Sequence, residues 1–164
     1  MIFVTVGTQL PFERLVQAVD AWAAVHPSVQ VLAQVNSGSY LPQHVQTVPG
    51  LAPAQFAQHF AAARVVVAHA GMGTIISALD VGKPLVLLPR LAALGEHRND
   101  HQVGTAGHFA GFSCIRVAAS EHDVGPLIDE LLSGASSASP LQPAPGVSPA
   151  LLDGIRRFLA GQPV

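Results

Sequence analysis

Apolar residues along this chain follow two periods that take turns. Short runs rich in β-branched residues, at residues 2–6, 29–35, 45–48, 65–69, 85–88 and 112–117, read as buried strands. Between them apolar positions recur at helical spacing. Phe12, Leu15, Val16 and Val19 mark a helix over residues 11–25, and further helices are predicted at 53–62, 74–81, 97–110 and 120–132. The punctuation agrees: Pro11 and Pro53 suit first helical turns, Gly82-Lys83-Pro84 stops the third helix, and Ser120 with Asp123 opens the last of these. Strands alternating with helices imply βαβ units, hence an α/β domain with a parallel sheet of about six strands and right-handed crossovers. Ligands of such sheets bind at the carboxyl ends of the strands. The turns at Gly7, Asn36, His69, Pro89 and Arg90 lie at those ends and are expected to converge.

The pattern divides the chain. Residues 1–133 form the domain. Residues 134–149, dominated by Ser, Ala, Pro and Gly, read as a flexible linker. Leu151, Leu152, Ile155, Phe158 and Leu159 then make one apolar stripe, predicting an amphipathic helix over 150–161 that folds back on the domain or docks on a partner.

Composition narrows the function. The 164 residues are 49% hydrophobic and 11% charged, so the surface is more apolar than that of most free monomers, and a partner interface is expected. The net charge of −2 gives no footing for nucleic acid. The one cysteine, Cys114, rules out an internal disulfide and reads as a core residue. Residues 2–6 are too short an apolar segment for a signal peptide, and no run is long enough to cross a membrane, so a cytoplasmic location is expected.

The candidate chemistry lies mainly between residues 65 and 102. His69-Ala70-Gly71-Met72-Gly73-Thr74 follows a strand and opens a helix. Gly71 and Gly73 permit the close backbone approach a diphosphate needs, the helix start favours an anion, and Thr74 adds a hydroxyl. His69 can hydrogen-bond a phosphate, or be a satisfied core histidine in a tight turn. Gly7-Thr8-Gln9 after the first strand matches neither the dinucleotide fingerprint nor a P-loop. The polar cluster Glu96-His97-Arg98-Asn99-Asp100-His101-Gln102 holds side chains suited to sugar hydroxyls, Asp100 and Gln102 above all, or is a solvated helix start. His97, His101 and His108 would share a face of one helix, which raises a metal site, but the H-E-x-x-H arrangement is absent. Arg90 is one of few cations and can pair with a phosphate, a carboxylate or Glu96.

Taken in order, VTVGTQ-PFERLV, HAGMGTIISALDVGKPLVLLP and GEHRNDHQ resemble the glycosyltransferase family 28 C-terminal domain over roughly residues 1–132. The likeness is nearest to the small single-domain type. That type includes the soluble donor-binding subunit of the dolichol-pathway N-acetylglucosaminyltransferase and bacterial PssE-type exopolysaccharide glycosyltransferase subunits. The resemblance implies a Rossmann-like sheet forming one half, the C-terminal donor-binding half, of a GT-B glycosyltransferase. The acceptor half would be a separate membrane-anchored subunit, placing this chain at the inner face of the membrane through its partner. By position, Gly7, Thr8 and Gln9 would line the diphosphate side, and His69, Gly71, Gly73 and Thr74 would cradle the phosphates. Asp100 and Gln102, with Asn99 and His101, would contact the donor sugar. Many relatives carry a ribose-binding glutamate where this chain has Ser77.

The implied reaction is an inverting transfer of a hexose-type sugar from a UDP-sugar to a lipid-linked saccharide in exopolysaccharide biosynthesis. No metal or other cofactor is expected, because backbone amides and the helix dipole would take the charge of the departing UDP. His97 and Glu96 are the general-base candidates on this chain. Arg90 near the sugar end would suit a glucuronate carboxylate. The rival readings are a non-catalytic sugar-nucleotide-binding module, a metal-dependent hydrolase using His97, His101 and Asp100, and a purely structural subunit.

Overall fold

The computed structural model describes residues 1–36 and 38–134. The linker beyond residue 134 and the helix expected at 150–161 lie outside the described residues. The buried β-branched runs become strands β1 (Ile2–Thr5), β2 (Val31–Gln34), β3 (Gln46–Val48), β4 (Val65–His69), β5 (Leu85–Leu88) and β6 (Ile115–Val117). Helices α1 (Glu13–Ala24), α2 (Pro53–Ala62), α3 (Met72–Val81), α4 (His101–Phe109) and α5 (Val124–Leu132) connect or follow them.

All neighbouring strands pair in parallel, in the order β3-β2-β1-β4-β5-β6. Strands β1, β2, β4 and β5 are buried at every position except His69, which is why they read as continuous apolar runs and do not alternate. Each face of the sheet has its own core. On one, Ile2, Val4, Val65, Val67 and Val86 pack with Leu15, Val19 and Trp22 of α1 and Ile128 of α5. On the other, Phe3, Val66, Leu85 and Leu87 pack with Phe60 of α2 and Ile75 and Ala78 of α3. Cys114 is buried in that second cluster. Burying each of these large side chains contributes about 1.5–3 kcal/mol. Among the described residues no helix is long and apolar enough to cross a membrane.

Several expected elements are shorter than their patterns, three of them near the cleft or the end of the sheet. The helix expected over 97–110 begins at His101, after a single 3₁₀ turn at Ala92–Leu94 that ends on Gly95 at φ 70°. Side chains hold that loop open: Glu96 Oε2 accepts from Leu91 N at 2.9 Å, and Asp100 Oδ1 accepts from Ala92 N at 2.8 Å. Such side-chain bonds compete with a helical ladder. The strand expected from residue 112 starts at Ile115, because Phe112 N and Ile115 N are spent in tight turns on Phe109 O and Phe112 O. The helix expected from residue 120 is a 3₁₀ turn, Glu121–Asp123, running into α5. Its expected cap is present, with Asp123 Oδ2 accepting from Ser120 N at 2.8 Å and from Ser120 Oγ at 3.0 Å.

Candidate functional site

In this strand order the connections from β1 and β4, neighbours at the centre of the sheet, leave toward opposite sides. The parting opens a crevice at their carboxyl ends, the place where such sheets bind ligands. A cleft of about 670 Å³ lies there. It is walled by the turn after β1 (Gly7, Thr8, Gln9), the turn into α3 (His69, Gly71, Gly73, Thr74) and part of the segment after β5 (Arg90, His97, His101, Gln102). Of the turn residues expected to converge, Gly7, His69 and Arg90 line the cleft, Asn36 reaches it only through its bonds to Gly7 O and Leu10 O, and Pro89 is not in the lining.

The three glycines of this cleft serve different ends. Gly7 adopts φ 82° and lies against one part of the His69 ring: a Cβ on Gly7 would sit 2.7 Å from His69 Cε1. A Cβ on Gly71 would overlap the ring at Nε2. Both therefore make room for an imidazole. Gly73 is the opposite case, since a Cβ there would meet nothing within 4 Å. It faces open space at the second position of α3. Gly71 is the cap of that helix and supplies no side-chain acceptor, so the amides of Met72, Gly73 and Thr74 have neither a helical partner nor a cap. These donors and the positive end of the helix dipole stand at the cleft. Thr74 is buried to 9% exposure beside them, and the Ser77 hydroxyl donates back to Gly73 O at 2.9 Å.

The His69 Nδ1 is buried without a hydrogen-bond partner. Burial pushes the imidazolium down to about 4, and the nearby Arg90 charge adds to the effect. At neutral pH His69 is an uncharged group in the turn before α3. Its pKa lies below that of an unfolded histidine, so the unfolded chain binds the proton first as pH falls. Stability is therefore full above about pH 6.5 and declines as pH drops toward 4, by up to roughly 1.4 kcal/mol per unit. Urea unfolding across this window should show a shallower decline for His69→Gln, and the His69 ring resonances should titrate near pH 4. Equal slopes for the two proteins would remove His69 as the source.

The segment after β5 bears on two expectations. Arg90 is 3% exposed, with its guanidinium over the Phe12 ring at 4.5 Å. Its Nη1 donates to Pro11 O at 2.7 Å and Glu96 O at 3.3 Å, and its Nη2 to Val6 O and Leu10 O at 2.8 Å each. Every terminal N–H is spent on a backbone carbonyl, so Arg90 ties the turn after β1 to the segment after β5. Glu96 is not a free base. Its two oxygens accept from Arg14 Nε at 2.7 Å and Arg14 Nη2 at 2.8 Å, and it does not line the cleft. The same arginine reaches Pro89 O at 2.9 Å and Glu121 Oε2 at 3.2 Å.

Of the polar cluster, His97, His101 and Gln102 reach the cleft, whereas Asn99 and Asp100 do not. Asn99 Oδ1 is taken by His101 Nδ1 and Asp100 by Ala92 N. Gln102 is buried with Oε1 accepting from Arg90 N at 3.2 Å. The His97 and His101 rings meet edge to face at 4.5 Å, and His97 Nδ1 is buried without a partner. Because His97 precedes α4, the expected shared helical face of His97, His101 and His108 does not form. Among the described residues no three His, Cys, Asp or Glu side chains are placed to hold a metal ion, which leaves the hydrolase reading without a site.

Sequence reasoning passed over the rest of the wall. Leu51, Pro53 and Phe56 form an apolar side, and Thr105 stands beside His101. Gln34 accepts from Thr5 Oγ1 at 2.6 Å and donates to Gly7 O at 3.1 Å, fixing the first turn from β2. Gln34 had a signal, a polar residue at the carboxyl end of a fully buried strand; Phe56 had none beyond its place in a helix.

Residues 1–146 match the glycosyltransferase family 28 C-terminal domain. No curated protein matches the chain. Among solved structures it is similar to the glycotransferase of kitacinnamycin, at 21% identity and TM-score 0.61 over 98% of this chain and 39% of that one. It is similar to the glycosyltransferase SnogD from Streptomyces nogalater, at 18% identity and TM-score 0.58 over 99% and 39%. The calicheamicin glycosyltransferase CalG4 matches at 16% identity and TM-score 0.57 over 97% and 36%. The likeness is one of fold, and the chain spans about two fifths of the length of each.

Proposed function

This chain belongs to the glycosyltransferase family 28 C-terminal domain family, with the Rossmann-like fold of one half of a GT-B glycosyltransferase, and from that premise we propose that its cleft binds a UDP-sugar as the donor half of a two-component inverting hexosyltransferase. The acceptor half is then a separate membrane-anchored chain presenting a lipid-linked saccharide, as in exopolysaccharide synthesis, and this chain works at the cytoplasmic face through that partner. The observation that carries the donor reading is the start of α3: three backbone amides without acceptors, beside a glycine whose missing side chain leaves open space.

In the proposed reaction the acceptor oxygen forms a bond to the sugar's anomeric carbon as the bond to UDP breaks on the opposite face. The amides of Met72, Gly73 and Thr74, already oriented, take up the charge that develops on the diphosphate. The acceptor's proton goes to a general base. Of the two residues of this chain considered for that role, Glu96 is spent on Arg14 and His97 remains. Arg90, which lines the cleft and keeps its charge, is the basis of the glucuronate reading.

A thermal-shift panel of UDP, UDP-sugars, ADP and NAD tests the donor reading. A ligand at a hundredfold its Kd stabilises by about 2.7 kcal/mol, which for a domain of this size is several degrees. UDP compounds should give that shift, and ADP and NAD should not. No shift with UDP would end the reading.

A further inference from the structure

We propose that Arg14 and Glu96, a buried ion pair outside the cleft, are positioning residues for the sugar end of the donor and not for its diphosphate. This rests on the donor reading above. Strands β3 and β5 lie on opposite sides of the central pair β1 and β4, so the cleft has two flanks, and they differ in kind. Beyond β3 stand Leu51, Pro53 and Phe56, an apolar wall that suits the flat face of a base. Beyond β5 stand His97, His101, Gln102 and Thr105, all polar. A sugar hydroxyl both donates and accepts, so it can satisfy such groups whichever tautomer a histidine adopts. The His97 Nδ1, buried and unpartnered, is one atom such a hydroxyl would satisfy. With the diphosphate at the α3 amides, the sugar then lies toward the segment after β5.

That segment has no strand ladder to follow. Between β5 and α4 it holds a single 3₁₀ turn, and side chains fix its path. Glu96 is the centre of the arrangement. Its Oε2 accepts from Leu91 N at 2.9 Å, which closes the turn, and its carbonyl accepts from Arg90 Nη1 at 3.3 Å. Arg14 of α1 grips both carboxylate oxygens, Nε on Oε1 at 2.7 Å and Nη2 on Oε2 at 2.8 Å, with 12% of each side chain exposed. A forked arginine–carboxylate pair sets orientation as well as distance. The next residue is His97, whose ring meets His101 edge to face at 4.5 Å, and Gln102 follows in α4. Arg14 and Glu96 themselves do not line the cleft. Their side-chain hydrogen bonds go to each other and to Pro89, Leu91 and Glu121, and among the described residues none reaches the turn after β1 or the start of α3. Loosening the pair therefore moves the polar flank and leaves the α3 amides where they are.

Isothermal titration of the full chain with UDP, UDP-glucose, UDP-N-acetylglucosamine and UDP-glucuronate, repeated on Glu96→Gln and Arg14→Lys, tests the proposal. Each variant nearly keeps the size of its side chain, but the amide loses the charge and the ammonium loses the fork. The readout is the Kd of the sugar nucleotide that wild type binds best, divided by the Kd of UDP. That ratio should rise at least about fivefold in both variants. A general weakening of the fold would move the two constants together and leave the ratio flat. Any smaller rise in either variant, or a variant that binds neither ligand, overturns the proposal and leaves the donor reading standing. A wild-type chain that binds UDP but none of the sugar nucleotides also overturns it. Absence of UDP binding by the wild type overturns both readings.

Discussion

Gly73→Leu is expected to leave the chain folded and to abolish UDP binding. Few glycine substitutions allow such a separation. At Gly7 and Gly71 an added side chain collides with the His69 ring, so a loss of binding there would say little about a ligand. At Gly73 a Cβ meets nothing within 4 Å, and the position is helical, where leucine is favoured over glycine by roughly 0.8 kcal/mol. The variant should therefore unfold at or slightly above the wild-type temperature. The same side chain occupies the space in front of the Met72, Gly73 and Thr74 amides. Affinity for UDP should fall by about a hundredfold or more, equivalent to about 2.7 kcal/mol. A variant that binds UDP within threefold of wild type would place the diphosphate elsewhere.

Arg90→Ala should be the most destabilising single change in the cleft. It strands the carbonyls of Val6, Pro11 and Glu96, leaves Leu10 O with the Asn36 amide alone, and uncovers the Phe12 ring. Each buried acceptor left bare costs about 1–3 kcal/mol, some of it recovered where water enters, so a total of about 3–5 kcal/mol is expected from urea unfolding. Arg90→Lys should rescue little, because an ammonium offers three donors from one point where four are needed in a plane. If Arg90→Ala cost under about 1 kcal/mol, the two segments it joins would be holding each other by other means.

How far the sequence could be read follows from the range of the forces involved. Strands buried on both faces announce themselves as β-branched runs, and the parallel order follows from their alternation with helices. The start of α3 was legible for the same local reason: a strand, two glycines and a helix in succession. The chemistry of Arg90 and Glu96 was not. Arg14 and Glu96 are separated by 82 positions, and Arg90 and Pro11 by 79, so neither pairing leaves a local mark. Both residues were candidates for the ligand site, and both hold other parts of the chain in place. The glycines pose a related problem. Sequence shows that residues 7, 71 and 73 lack side chains, yet only the fold tells room made for an imidazole from room left open. The start of α4 was misjudged because Glu96 and Asp100, fair residues for a helix start, hold a turn instead.

The long reach of those arginine ties also sets an order of events during synthesis. A newly made chain leaving the ribosome can pair β1 with β2 early, for their partners are close in sequence. The ligand cleft has to wait. Its floor needs Arg90 to find carbonyls near residue 10, and its far wall needs Gln102, so the segment through α4 must emerge before the pocket exists. Closing loops of some eighty residues is entropically slow, and the part of the sheet face that α5 helps to cover waits as well. The cleft is thus among the last parts of the protein to be built.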